Sequence, residues 1–250
     1  MRSDQVDGWR LLWHDEFDGP AGAPPDPARG GYELGDGSAY GIPGWGNDEL
    51  EHYTDLPENA ALDGQGNLAI TARSDGTSYT SARLLTKETF TFTYGRIETR
   101  LKVSRGAGLW PACWTLGANI AEAGWPECGE IDVMEHVCRE PRSIFGTIHG
   151  PGYSGGDGYG KVVELEQDVA DDFHLFRVDW DEGVLEWSLD EQPYHRATPA
   201  DLAPSRWVFD HPFFVLLNLA VGGNFGGALT EETVLPQTLL VDYVRILERG

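Results

Sequence analysis

The sequence predicts an all-β protein in which short strands pack as a sandwich or a barrel. Three observations indicate this fold class: frequent turn residues, alternation of apolar and polar side chains along most of the chain, and few helical patterns. Glycine occurs 32 times and proline 15 times in 250 residues without a collagen-like period, which indicates many tight turns. Helical patterns are confined to short pieces near 164–173 and 199–206.

Strand patterns recur from about residue 10 to the C-terminus. In residues 95–103, apolar and charged side chains alternate, which is typical of a strand with one face toward solvent or a cleft. Residues 176–180 and 185–189 repeat this alternation on either side of an Asp-Glu-Gly turn and predict a β-hairpin. Residues 213–223 are apolar almost throughout, as expected of a central strand covered on both faces, and residues 241–247 predict a final strand.

The chain length and the absence of any linker, low-complexity tract or repeat predict a single domain over residues 1–250. The net charge of −23 repels phosphate backbones and anionic lipids, so we expect neither nucleic acid nor a membrane surface as a partner. No apolar run approaches the ~18 residues of a membrane span, and the first residues lack the pattern of a secretory signal. Removal of a signal and a cytoplasmic location both remain open on this reasoning.

The three cysteines, Cys113, Cys128 and Cys138, show no metal-ligand spacing, which disfavours zinc. If residues 129–137 form one strand, Cys128 and Cys138 lie ~30 Å apart, which is beyond the reach of a disulfide. A bridge between Cys113 and Cys128 stays open, although three buried free thiols is the interpretation that we favour.

The segment GEIDVMEH at 129–136 carries three acids: Glu130, Asp132 and Glu135. Successive strand residues face opposite sides, so the first two acids share a face and Glu135 would point away. A β-bulge around Val133 and Met134 would return Glu135 to the shared face, and bulges are frequent beside active sites. Like charges on one face raise each other's pKa, which disfavours a purely structural strand. The alternative is a solvated acidic face in an acid-rich protein.

A pair of carboxyl groups is the chemical equipment of glycoside hydrolysis, in which one protonates the departing oxygen and the other attacks the anomeric carbon or activates water. Retaining enzymes hold the two groups ~5 Å apart and inverting enzymes hold them ~6.5 to 9.5 Å apart. With one bulge, the Cα atoms of Glu130 and Glu135 would be ~13 Å apart, so both side chains must lean inward on a concave sheet. Spacing alone therefore leaves both stereochemical outcomes open.

GEIDVMEH resembles the active-site strand of glycoside hydrolase family 16, in the bulged form that looks like the laminarinase branch. Lichenases and xyloglucan-active members usually carry the version without the bulge. Further segments match the family in order and spacing: WHDEFDG (13–19), WGNDELEHYT (45–54), residues 93–117, GTIHGPGYSGG (146–156) and NLAVGGNFGG (218–227). The resemblance implies a β-jelly-roll of two antiparallel sheets with a concave substrate cleft, and endo-acting, retaining hydrolysis of β-1,3-glucan.

By this resemblance Glu130 would be the nucleophile, Glu135 the general acid and then base, and Asp132 the residue that holds and tunes the nucleophile. The resemblance also implies a set of substrate-binding residues, each of which has a structural alternative as a core, turn or ion-pair residue. These residues are Asn47, Glu49, Arg83, Trp110, Trp114, Trp125, His149 and Asn218.

The resemblance implies no catalytic cofactor, but the family often carries a structural calcium ion held by two backbone carbonyls and one aspartate. These ligands map to Glu16, Gly66 and Asp242. We expect a secreted protein, because glucan polymers do not enter cells. We also expect a monomer. The competing interpretations are a non-catalytic β-1,3-glucan-binding protein and the same chemistry on mixed-linkage β-1,3-1,4-glucan, agarose or carrageenan. The negative charge disfavours the sulfated polymers.

Overall fold

Two β-sheets make up most of the structure, a computed structural model that describes residues 5–6 and 8–250. Strands β1 to β9 are Gln5–Val6, Trp9–Asp15, Gly31–Tyr32, Glu51–Tyr53, Ala60–Leu62, Leu68–Ser74, Tyr79–Ser81, Arg83–Leu85 and Gly95–Lys102. Strands β10 to β18 are Leu109–Gly117, Glu130–Glu135, Ser143–His149, Tyr159–Glu164, His174–Asp181, Val184–Leu189, Gln192–Ala197, Phe213–Val221 and Gln237–Arg249. In the described part of the chain, three one-turn helices, α1 to α3, span Ile120–Ala123, Pro199–Leu202 and Gly223–Gly226.

The larger sheet, which we call the back sheet, has the spatial order β16-β15-β14-β9-β18-β6-β7-β4, with β2 beside β18, β1 beside β2 and β5 beside β6. The smaller sheet, the front sheet, has the order β13-β12-β11-β10-β17-β8-β3. Most neighbouring strands are antiparallel, and neighbours in space are often distant in sequence. The all-β prediction is confirmed.

The core lies between the two sheets. On β9 of the back sheet, Ile97 and Leu101 are fully buried in it, as the alternation predicts. On the front sheet, Ile131, Ile148 and Leu219 are equally buried and face the same core. Burial of apolar surface contributes about 25 cal/mol per Å², so this two-sided core is the main source of stability for the sandwich.

The other face of β9 is lined with charged pairs and belongs to the outer surface of the back sheet rather than to a cleft. Arg96 donates two hydrogen bonds to Asp179 of β14, at 2.6 and 2.7 Å. Glu98 accepts from Arg177 at 2.6 Å. From the sequence, this face could line either solvent or a cleft. These ion pairs, on the side of β9 opposite the core, assign it to the outer surface.

The predicted hairpin and central strand are both present. Strands β14 and β15 pair from Phe176 with Leu189 to Asp181 with Val184. All residues of β17 are buried, and β17 lies between β10 and β8. Of the expected helical pieces, only residues 199–202 and a 3₁₀ turn at 169–171 are present, while α1 and α3 lie outside those pieces. None of the helices within 5–6 and 8–250 has the length and apolar character needed to cross a bilayer.

The three cysteines are buried free thiols, as favoured from the sequence, so Cys113 and Cys128 are not bridged. Burial raises the pKa of each thiol to about 12. The Cys138 thiol donates to the carbonyl oxygen of Ser104 at 3.1 Å. These side chains therefore behave as small apolar core residues rather than as reactive groups.

Candidate active site

Strand β11 contains the predicted β-bulge. On its β10 side, Asp132 lies opposite Trp114, whereas Met134 lies opposite the adjacent Cys113, so Val133 is the additional residue. On the β12 side, the three steps from Asp132 to Glu135 match only two steps on the partner strand. An extra residue reverses the facing of every later side chain, because strand side chains alternate.

The bulge separates the apolar residues of β11 from its acids. Ile131, Val133 and Met134 are buried in the core between the sheets. The three acidic side chains, Glu130, Asp132 and Glu135, lie on the opposite face of the front sheet. There they interact electrostatically with one another and with one histidine. The structure thus brings together the three acids that the sequence singled out.

The first acid of the cluster, Glu130, has a cationic neighbour and an indole donor. The His149 Nε2 atom lies 3.8 Å from Glu130 Oε1 and 3.2 Å from Asp132 Oδ2. The Trp125 indole donates to Glu130 Oε2 at 2.8 Å, and 45% of this tryptophan is exposed. An exposed indole that is fixed beside a carboxylate offers a flat apolar surface to a sugar ring.

The last acid of the cluster, Glu135, lies in a drier environment than Glu130. It is 8% exposed, and its Oε1 atom accepts a hydrogen bond from the Trp110 indole at 3.0 Å. Burial, followed by the charge of Asp132, raises the pKa of both glutamates, and that of Glu135 lies well above its usual range. Both glutamates therefore hold their protons more tightly than free carboxyl groups do.

The histidine of the cluster is a cation at neutral pH. Burial opposes its charged form, but the ion pair with Asp132 and the other nearby carboxylates outweigh burial and raise the pKa of His149 to about 9. One carboxylate oxygen each of Glu130 and Asp132 and one ring nitrogen of His149 lie within 4.8 Å of one another, a spacing that also suits a metal ion. A protonated imidazole has no free lone pair on either nitrogen, so this histidine is a poor metal ligand near neutral pH.

A chain of hydrogen bonds crosses the front sheet away from the acids. The Trp114 indole donates to Asn218 Oδ1 at 2.8 Å, and the Asn218 amide donates to the Tyr53 hydroxyl at 3.0 Å. That hydroxyl donates to Glu49 at 3.0 Å, and Glu49 accepts from the Asn47 amide at 3.1 Å. Four of these five residues were predicted as substrate-binding residues, and Tyr53 joins their two halves.

The remaining predicted polar residue, Arg83, borders the same chain. Its Nε atom lies 2.7 Å from a carboxylate oxygen of Glu33, and its guanidinium carbon lies 4.4 Å from the ring centre of Trp45 and 4.8 Å from that of Trp114. Sequence reasoning missed Glu33, Trp45 and Tyr53. The last two lie inside WGNDELEHYT, so the motif itself carried a signal for them.

The predicted calcium ligands lie beside the middle of β18, where β2 ends and β6 begins. Strand pairing of Val244 with Asp15 and of Val241 with Leu68 brings Glu16, Gly66 and Asp242 to the same region. Two backbone carbonyls and a carboxylate are oxygen donors of the type that calcium prefers. The Asp242 carboxylate also accepts from Arg100 at 2.6 Å through its Oδ2 atom, so an ion would share it with a guanidinium.

A sandwich that groups three acids, a cationic imidazole and several indoles on one face defines a glycoside hydrolase. The chain belongs to glycosyl hydrolases family 16, whose sequence profile matches residues 50–243. The jelly-roll and the resemblance predicted from the motifs are thereby confirmed.

Relatives with known names are similar over nearly the whole chain. The laminarinase catalytic domain of Thermotoga petrophila, an endo-1,3-beta-glucanase, is 47% identical with a TM-score of 0.91, and the match covers 98% of this chain and 100% of that one. The beta-glucanase of Rhodothermus marinus is 38% identical over 257 residues, covering 98% of this chain and 87% of the relative. Glucan endo-1,3-beta-glucosidase A1 of Niallia circulans is 36% identical, and the match spans only 38% of its length.

Proposed function

We propose that this glycoside hydrolase cleaves internal β-1,3 bonds of a laminarin-like glucan with retention of anomeric configuration. The observation that carries this proposal is the bulged strand β11, which places Glu130, Asp132 and Glu135 on one face beside the His149 cation. The relatives named endo-1,3-beta-glucanase and endo-1,3-beta-glucosidase support the substrate class.

In the first step, ionised Glu130 attacks the anomeric carbon while Glu135 gives its proton to the departing glycosidic oxygen. The bond between the anomeric carbon and that oxygen breaks, and an ester between Glu130 and the sugar forms. In the second step, Glu135, now ionised, takes a proton from water. As that proton leaves, the water oxygen bonds to the anomeric carbon and the ester bond breaks, which releases Glu130 as a carboxylate. Because only carboxyl groups and water take part, the reaction needs no catalytic cofactor.

The surroundings of the two glutamates support this division of roles. Burial and then the charge of Asp132 raise the pKa of Glu130 to about 8, and the imidazolium of His149 and the indole N–H of Trp125 counter that rise by favouring the ionised form. Glu135 is the more buried of the two glutamates, and its high pKa keeps a proton available for the departing oxygen. Asp132 holds the imidazolium in place, at 3.2 Å from Nε2, so it positions the charge that tunes the nucleophile.

The polar chain on the front sheet supplies sites for sugar hydroxyl groups. The amides of Asn47 and Asn218 have both donors and acceptors and the carboxylate of Glu49 accepts, and hydrogen bonds among these groups and Tyr53 fix their orientation before substrate arrives. Neighbouring strands lie ~4.8 Å apart, so the row from β11 across β10, β17 and β8 is long enough for several sugar units. By the resemblance, we expect the non-reducing sugars of the glucan to bind beside Asn47, Glu49 and Arg83.

Digestion of laminarin tests the proposal. The protein is expected to release a ladder of oligosaccharides, and Glu130→Gln is expected to lower kcat by at least about 10³-fold while laminarin still binds. The matched control is Glu186→Gln, which changes an exposed acid on the outer surface of the back sheet. No product from laminarin at any pH, or a Glu130→Gln variant that keeps a tenth of the rate, contradicts the proposal. Binding without cleavage would instead identify a non-catalytic glucan-binding protein.

A substrate panel with linkage analysis separates the remaining alternatives. Faster cleavage of mixed-linkage β-1,3-1,4-glucan than of laminarin would contradict the preference for pure β-1,3-glucan. Faster cleavage of agarose or carrageenan would contradict the glucan class altogether. The expected order is laminarin first and mixed-linkage glucan second, with no cleavage of sulfated polymers because the chain carries a net charge of −23.

A structural calcium ion at Glu16, Gly66 and Asp242 belongs to the same proposal. Its expected effect is on stability, because the site lies on the back sheet and the reacting groups lie on the front sheet. Calcium is expected to raise Tm for the unmodified protein and to leave Tm unchanged for Asp242→Asn. An equal effect of calcium on both proteins contradicts this assignment.

The organisation of the protein completes the proposal. We take residues 1–250 as one catalytic domain that acts as a monomer. We also take the protein as secreted, since its polymeric substrate lies outside cells. Light scattering at micromolar concentration is expected to give the mass of one chain, 27.5 kDa. A mass of two or more chains contradicts the monomer, and recovery of the natural protein from the cytoplasm alone contradicts secretion.

A further inference from the structure

The bulge that aims Glu135 is held from behind by the back sheet. Trp187 lies on β15, is fully buried, and donates its indole N–H to the backbone carbonyl of Asp132 at 2.8 Å. This contact joins residues 55 positions apart and crosses the core between the two sheets. The carbonyl belongs to the last residue before Val133, the extra residue of the bulge.

A bulge interrupts the ladder of backbone hydrogen bonds, and a buried carbonyl left without a donor is costly. The Trp187 indole supplies a donor to the carbonyl of Asp132. This hydrogen bond fixes the orientation of the peptide plane between Asp132 and Val133. The direction of that plane sets where the chain continues toward Glu135.

The strand opposite the bulge is shaped to admit this indole. Gly146 of β12 lies between Phe145 and Thr147, the partners of Glu135 and Asp132. A Cβ atom on Gly146 would lie 2.7 Å from Trp187 Cδ1 and would overlap the Tyr194 hydroxyl. Glycine at this position therefore leaves room for two back-sheet side chains to reach the rear of the bulge.

We propose that Trp187 is a positioning residue that locks the bulge of β11 and thereby sets the distance between the carboxyl groups of Glu130 and Glu135. This inference rests on the proposed retaining reaction, in which Glu135 must reach the departing oxygen. Trp187 touches neither substrate nor the reacting atoms and acts through the backbone of Asp132. Gly146 contributes to the same positioning, because its missing side chain leaves room for the Trp187 indole.

The test compares two tryptophan-to-phenylalanine substitutions in the core. Trp187→Phe removes the donor to Asp132, and the matched control, Trp180→Phe, removes a similar donor to the Phe209 carbonyl at 3.0 Å. Both tryptophans are almost fully buried on the back sheet, so both variants lose a comparable hydrogen bond and ring area. Trp187→Phe is expected to lower kcat for laminarin roughly 10- to 100-fold, with KM within about twofold, because small misplacement of a catalytic group is that costly. Trp180→Phe is expected to keep kcat within about twofold.

An activated substrate distinguishes misplacement of Glu135 from general loosening. In a β-laminaribioside that carries dinitrophenolate as its leaving group, this group departs without protonation. Cleavage of its bond to the sugar therefore does not need Glu135 as an acid. In a pre-steady-state burst, Trp187→Phe is expected to release dinitrophenolate within about threefold of the unmodified rate while remaining defective on laminarin. Equal losses on both substrates contradict a role through Glu135 and indicate a structural role only.

A second variant covers the case in which Trp187→Phe does not fold. Gly146→Ala forces Trp187 away while retaining its indole, and it is expected to show the same split between laminarin and the activated substrate. Unchanged kcat on laminarin in whichever variant folds, or a loss no greater than that of Trp180→Phe, overturns the inference. If the unmodified protein does not cleave laminarin, the proposed function itself fails. An active protein with a fully active Trp187→Phe variant refutes only the role of Trp187.

Discussion

Replacing His149 with asparagine probes the electrostatics of the acid cluster. The imidazolium lies 3.2 Å from Asp132 Oδ2 and 3.8 Å from Glu130 Oε1, and these contacts help to raise the pKa of His149 from 6.5 to about 9. At 1.36 kcal/mol for each pKa unit, the shift corresponds to about 3 kcal/mol of net favourable interaction. At those distances and an effective dielectric constant of 20, the Coulomb attraction to an ionised acid is roughly 4 to 5 kcal/mol for each of the two contacts, which leaves room for the cost of burial.

Because the interaction is mutual, loss of the cation raises the proton affinity of the acids. Asparagine keeps a hydrogen-bond donor but carries no charge. The acidic limb of the kcat/KM profile, which reports ionisation of Glu130, is therefore expected to move up by about 1 to 2 pH units. The matched control is His174→Asn, which removes a histidine paired with Asp190 at 2.7 Å on the back sheet. A His149→Asn profile that coincides with the control profile refutes the assignment.

The same substitution changes how stability depends on pH. A histidine with a raised folded-state pKa stabilises the fold fully below pH 6.5, its unfolded value, and this contribution is lost as the pH rises through about 9. The free energy of unfolding of the unmodified protein is therefore expected to fall between pH 6.5 and 9. His149→Asn is expected to flatten this decline, and an equal decline in both proteins, measured by urea denaturation, contradicts the expectation.

Three further predictions concern the hydrogen bond to the acid, the polar chain and the core. Trp110→Phe removes the donor to Glu135, so the pKa of that acid rises and the basic limb of kcat/KM moves up by about one pH unit. A shift to lower pH contradicts this. Arg83→Lys keeps the charge but loses the planar guanidinium that lies over two indoles, so KM for laminarin rises roughly 3- to 10-fold with little change in kcat. An unchanged KM contradicts a role in substrate binding. Leu101→Ala, in the core, costs about 2 to 5 kcal/mol in urea denaturation, and a cost below about 1 kcal/mol contradicts the placement of this residue.

The sequence predicted the features that depend on local periodicity. Alternation gave the inward face of β9 and the hairpin of β14 and β15, and a parity argument gave the bulge between Asp132 and Glu135. The stereochemistry, the substrate and the roles of individual residues came from resemblance, because spacing along one strand does not specify a sugar or a linkage.

The sequence alone could not provide contacts between distant segments. Asn218 and Tyr53 are 165 positions apart, and the donor from Trp187 to Asp132 crosses from the back sheet to the front sheet. Neither has a local pattern, since each depends on which strands lie side by side and on the space left by Gly146. The one-turn helices α1 and α3 were also missed, because so short a helix presents no amphipathic period.

Identification of the residue that becomes covalently attached to the sugar tests the central claim most directly. A laminaribioside with fluorine at C2 of the reacting sugar and a dinitrophenolate leaving group allows attack but slows the second step, so the glycosyl ester accumulates. Peptide mass spectrometry of the trapped protein is expected to find one glycosyl group on Glu130, and the label is expected to disappear in Glu130→Gln. A label on Glu135, or full turnover of the substrate with no covalent label, would contradict nucleophilic attack by Glu130.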